Sequence, residues 1–97
     1  MRTFVVVRRG AWTTLEDVNA ARRRAASELE RFEEVVRWLR SYEVEEIDGT
    51  IGSICLYEAV NPEAIRHHSA AAALPVDEIL KVADVVVVRP DPAAAAA

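Results

Sequence analysis

The chain has 97 residues, enough for one domain around one hydrophobic core. Apolar residues make up 52% and charged residues 29%, a balance that excludes a disordered chain. A net charge of −4 lacks the basic footprint that nucleic acid requires, and a single cysteine excludes an internal disulfide. Nothing therefore calls for an oxidising compartment. The apolar stretch in "MRTFVVVRRG" is too short for a signal peptide or a membrane span, so a soluble, cytoplasmic protein is expected.

In chain order, "TFVVVRR" reads as a strand of β-branched and aromatic residues ended by Gly10. The next segment, "TTLEDVNAARRRAASELERFEEV", reads as a long helix. Thr14 and Asp17 have capping-box spacing, and Val18, Ala21, Ala25, Leu29 and Phe32 recur at steps of three and four. Its basic run, Arg22-Arg23-Arg24, reads as a solvated face with Arg24 and Glu28 at i,i+4 spacing. "VVRWLRSYEVEEI" is a second strand, Asp48-Gly49 the hairpin turn, and "SICLYEAV" the partner strand. Asn61 caps a second helix with Pro62 in its first position, and that helix is expected to end near Leu74-Pro75. After a short turn at "VDEI", the segment "LKVADVVVVR" is expected as the last strand, stopped by Pro90. Residues 91–97 read as a flexible Ala-rich tail on a single domain of residues 1–90.

The order βαββαβ is that of the ferredoxin-like α+β fold, a four-stranded antiparallel sheet with two helices on one face. Antiparallel sheets with one wet face alternate apolar and polar residues, and Val5-Val6-Val7 and Val85-Val86-Val87-Val88 do not. Two helices cover one face only. A second copy of the chain is the simplest cover for the other, so a homodimer is expected.

Both histidines lie in "EAIRHHSAAA", where adjacent residues point about 100° apart. His68, flanked by Ala64 and Ala72 at i−4 and i+4, lies on the buried side and His67 nearer solvent. The plainer reading of His68 is a core histidine satisfied by a carbonyl. Cys55 lies mid-strand, where a free thiol is ordinarily a small hydrophobe. Nucleophilic chemistry would require the fold to bring His68 to it. Too few cysteines and histidines stand at chelating intervals for structural zinc. Trp38, Arg40, Tyr42 and Val44 share parity, which puts an indole, a guanidinium and a phenol on one sheet face; Cys55 and Tyr57 share a face of the neighbouring strand. The choice is between an aromatic half-core with Arg40 paired to Glu and a pocket with a few polar tips.

"RWLRSYEVEE", "ICLYEAVNPEAIRHHS" and "ALPVDEILKV" resemble a small bacterial, largely actinobacterial family of nickel-binding proteins, long a domain of unknown function. The matching positions include Arg37, Trp38, Ser41, Tyr42, Cys55, Tyr57, Glu58, Glu63, Arg66, His68, Leu74 and Pro75. The resemblance runs from about Phe4 to Val88. It implies the dimeric α/β-barrel form of the ferredoxin-like fold and selects His68 over His67. It also implies capacity for Ni2+ or another divalent transition metal, with His68, Cys55 and Tyr42 as ligands and Trp38, Arg40, Tyr57 and Glu58 around the pocket. Ala73 departs from the family's usual Gly before Leu-Pro; alanine tolerates a left-handed cap poorly, so a different helix end is expected there. Three readings follow: a metal-binding protein, a dimeric α/β-barrel enzyme acting on a small, partly apolar substrate with His68 as general base, and a non-catalytic dimerisation or ligand-sensing module.

Overall fold

The structure, a computed structural model, describes residues 1–92. The elements are β1 (Arg2–Trp12), α1 (Leu15–Phe32), β2 (Val36–Glu45), β3 (Ile51–Ala59), α2 (Pro62–Ala71) and β4 (Glu78–Lys81). The sheet is antiparallel with strand order β2-β3-β1-β4, and both helices lie on one face: this is the expected ferredoxin-like fold. No helix among the described residues is long and apolar enough to cross a membrane.

The local signals explain the helix ends. Thr14 Oγ1 accepts from the Asp17 N–H at 3.1 Å, and Asn61 Oδ1 accepts from the Ala64 N–H at 2.9 Å, so each cap satisfies an orphan donor of its first turn. At the far end of α2 the Leu74 N–H reaches the Ser69 carbonyl and the Ala73 N–H that of Ala70, a Schellman arrangement. Ala73 closes it at φ 55°. The expectation of a differently shaped end is thus corrected: the left-handed cap forms on alanine. Arg24 holds it from α1, its Nε donating to the Ala72 carbonyl at 2.9 Å, so Arg24 serves another helix instead of pairing with Glu28. Glu28 pairs with Arg31.

The core lies between helices and sheet, with Phe4, Val6, Val36, Cys55, Tyr57, Ala59, Ala64 and Ile65 in one cluster. The β1–β3 seam is tightest at Gly52, where an added Cβ would sit 2.5 Å from the Arg8 carbonyl oxygen.

Two expectations are corrected. The last strand is Glu78–Lys81, paired with Phe4–Val7, and not residues 80–89. Antiparallel to β1, it has reached Thr3 by Val82, whose N–H bonds the Thr3 carbonyl. The ladder ends there, and Val85 to Val88 lie outside the sheet, 67–87% exposed. Second, the register of β2 shifts between Trp38 and Arg40. One extra residue in a ladder reverses the parity that follows it. Trp38, Ser41 and Glu43 consequently oppose Tyr57, Cys55 and Ser53, while Arg40 and Tyr42 oppose Leu56 and Ile54. Of the Ala-rich tail, residues 93–97 lie outside the described residues; Asp91 is bonded by both Arg40 and Tyr42.

Candidate functional site

Parity along β1 sends Phe4, Val6 and Arg8 toward the helices. The first two are ordinary core residues. Arg8 is a guanidinium in the same row and only 1% exposed. Opposite it stands Ser53, and opposite Ser53 on β2 stands Glu43, so a polar row crosses three strands beneath α1.

A pocket opens there, lined by Arg8, Trp12, Trp38, Ser41, Glu43, Ser53, Cys55 and Tyr57 from the sheet and by Val18, Ala21, Arg22 and Ala25 from α1. It has about 290 Å3 of empty volume, part of it open to solvent. A hydrogen-bonded relay runs along its wall. The Trp38 indole N–H donates to Ser41 Oγ (2.7 Å), the Ser41 hydroxyl to Cys55 Sγ (2.9 Å), and the Cys55 thiol to Ser53 Oγ (3.5 Å). Arg8 donates from one Nη to Cys55 Sγ at 3.4 Å and from the other to Ser69 Oγ at 3.0 Å. Its Nε is buried and has no partner among the described residues, and neither has Glu43 Oε2. Burial raises the Glu43 carboxyl pKa, with Arg22 and Arg8 opposing the shift. Burial also pushes the Tyr57 phenol up to about 12, so Tyr57 is a neutral hydroxyl at physiological pH.

His68 occupies a separate compartment. Its ring is fully buried, edge-on to Phe32 (5.6 Å between centroids) and to Tyr57 (6.1 Å). Nε2 lies 2.9 Å from the Ala25 carbonyl, which only accepts, so Nε2 carries the hydrogen. Burial lowers the pKa of the ring, which leaves Nδ1 a bare lone pair without a partner. The predicted carbonyl partner is therefore present, supplied by α1.

Of the candidate ligands, Cys55 and His68 lie on the helix side, and Tyr42 is on the opposite face with Arg40 and Asp91. The bulge corrects the shared face expected for Trp38, Arg40 and Tyr42. Trp38 and Tyr57 line the pocket, stacked at 6.4 Å and 16°. Glu58, in register with Thr3 and Arg37, is not among its lining residues. Sequence reasoning missed Arg8, Glu43 and Ser69; the alternation Phe4, Val6, Arg8 was the available signal for the first.

Topology and site together define a ferredoxin-like α+β protein with a buried polar pocket between helices and sheet. The chain belongs to the family of nickel responsive proteins similar to SCO4226, whose model matches residues 4–82. It is also similar in structure to SCO4226 from Streptomyces coelicolor A3(2), with a TM-score of 0.70 and 22% identity, covering 87% of this chain and 99% of that one. No curated protein matches the sequence significantly.

Proposed function

We propose that the chain is a non-catalytic, homodimeric binding module of the cytoplasm that reads a small ligand in the pocket beneath α1. One observation carries this reading: Arg8 lines the pocket yet is sealed in the core, with neutral hydrogen-bond partners and, among the described residues, none for its buried Nε–H. A buried charge without an ion-pair partner costs several kcal/mol, roughly, and a ligand that pairs with it offsets that cost. Catalysis by His68 finds no support. Its ring is not among the pocket-lining residues, and a general base must reach the proton it removes.

The dimer is supported by the open sheet face. Val5, Val7 and Leu56 are half-buried there, Ile54 and Leu80 exposed, and Val85–Val88 are exposed beyond the end of β4. A second copy would cover that face. To test the pocket, a small-fragment library is screened by 1H–15N correlation spectra. Shifts gathered on the Trp12 and Trp38 indoles and the Ser53 and Cys55 amides are expected; shifts elsewhere only would refute the reading.

A second reading, a site for nickel or a similar divalent ion, is favoured by His68. A metal-binding imidazole commonly gives its other N–H to a carbonyl, as His68 does to Ala25. The remaining donors do not fit it. The Arg8 guanidinium stands on the Cys55 sulfur, Tyr57 is neutral, Tyr42 faces the other way, and among the described residues no three His, Cys, Asp or Glu side chains gather at one point. Calorimetric titration with Ni2+ of wild type and His68→Ala tests this reading. Equal affinities would remove His68 from it.

A further inference from the structure

The chemistry of the pocket narrows what it takes. A guanidinium carries five N–H donors in a rigid fork that matches a planar oxyanion edge. Arg8 uses two of them, on Cys55 and Ser69, and both partners are neutral. Among the described residues no carboxylate lies within ion-pair distance of it; Glu43 is 3.9 Å from Arg22 instead. The lining is thus two guanidinium groups against one carboxylate, Arg8 and Arg22 against Glu43. Ser41, Ser53, Trp12 and Trp38 line the same pocket. Its empty volume of about 290 Å3, part of it open to solvent, limits a guest to a small molecule.

We propose that this pocket binds a small planar oxyanion of single negative charge, a carboxylate or its inorganic equivalent, seated on the free Nε–H edge of Arg8. This rests on the binding-module reading above and names its ligand class. A cation is disfavoured at the same place by the Arg8 charge. A dianion would meet Glu43, and a neutral guest would leave the guanidinium uncompensated.

The test is thermal unfolding of the full chain in sodium formate, acetate, nitrate or phosphate, against chloride at equal ionic strength. Wild type is expected to gain a rise in Tm that follows the logarithm of anion concentration, about 4 °C or more at tenfold excess over the dissociation constant. Arg8→Met is expected to show no such rise and to melt no lower than wild type in chloride. Formate and acetate acting alone identify a carboxylate, nitrate alone an inorganic anion; either supports the assignment. A rise shared by Arg8→Met, a rise linear in every salt, or a response to phosphate only overturns it. Should Arg8→Met fail to fold, Ser69→Ala and Arg8→Lys serve, read with tryptophan fluorescence of Trp12 and Trp38. Loss of the anion-specific response in Arg8→Lys supports the fork geometry, and retention in full overturns it. Formamide and acetamide separate the two levels. Pocket resonances that move with these neutral compounds and not with anions overturn the anion assignment alone, and resonances that move with neither overturn the binding module too.

Discussion

The two faces of the sheet carry the opposite of what their surroundings would suggest. The helix-covered face, which should be oily throughout, gathers Arg8, Ser41, Glu43, Ser53 and Cys55 at the end beneath α1. The uncovered face, which should be polar, presents Val5, Val7, Ile54, Leu56 and Leu80. A buried polar group left without partners costs free energy, and an exposed apolar patch marks an interface. The inversion supports the two tasks proposed for this sheet: a small ligand inside and a second copy of the chain outside.

The strongest way to break the comparison is to charge the outer face. Leu56→Arg should weaken the proposed dimer by about 10³-fold, some 4 kcal/mol, because the new guanidinium would be buried unpaired. Sedimentation velocity at micromolar concentration reads this directly; an unchanged dimer would separate that face from association. On the inner face away from the pocket, packing should behave as an ordinary core. Ile65→Ala, at a fully buried position, should lose about 2–4 kcal/mol in urea unfolding, with little change in the denaturant slope. A loss under 1 kcal/mol, roughly, would mean a looser core than the burial implies.

Smaller effects sharpen the picture around the pocket's edge. Ala73 sits at φ 55°, so Ala73→Gly should stabilise the chain by about 0.5–1 kcal/mol, relieving left-handed strain less glycine's extra unfolded entropy. A melting curve checks it, and destabilisation would contradict the cap. His68 supplies the smallest effect. Its pKa is lowered on folding from the usual 6.5, so the unfolded chain binds the proton more readily. Its contribution is fully present above 6.5 and declines as pH falls below that value toward the folded pKa. His68→Gln should flatten that part of the stability–pH profile relative to wild type. An unchanged slope would show that the ring is not buried neutral.

The sequence made legible whatever depends on local chemistry. Thr14 with Asp17, and Asn61 with Pro62, mark their helix starts because capping is a contact between residues three apart. What it hid depends on distant partners. Nothing in "RWLRSY" announces the extra residue near Leu39, yet that residue turns Ser41 and Glu43 inward and Tyr42 outward, dismantling the ligand set expected for His68. The valines at 85–88 have strong strand propensity, but a strand requires a neighbour, and the β1–β4 ladder ends before them. Arg8 was hidden differently. It looks like the polar end of "VVVRR", and only the covered face of the sheet turns its charge into a site.

The most direct measurement is the side-chain Nε–H resonance of Arg8 in 1H–15N spectra of the full chain, followed as formate replaces chloride at fixed ionic strength. The account predicts a slowly exchanging signal that shifts to saturation while those of exposed Arg9 and Arg23, outside the pocket lining, stay still. An Arg8 signal that never moves, or moves only in step with the exposed arginines, would contradict it.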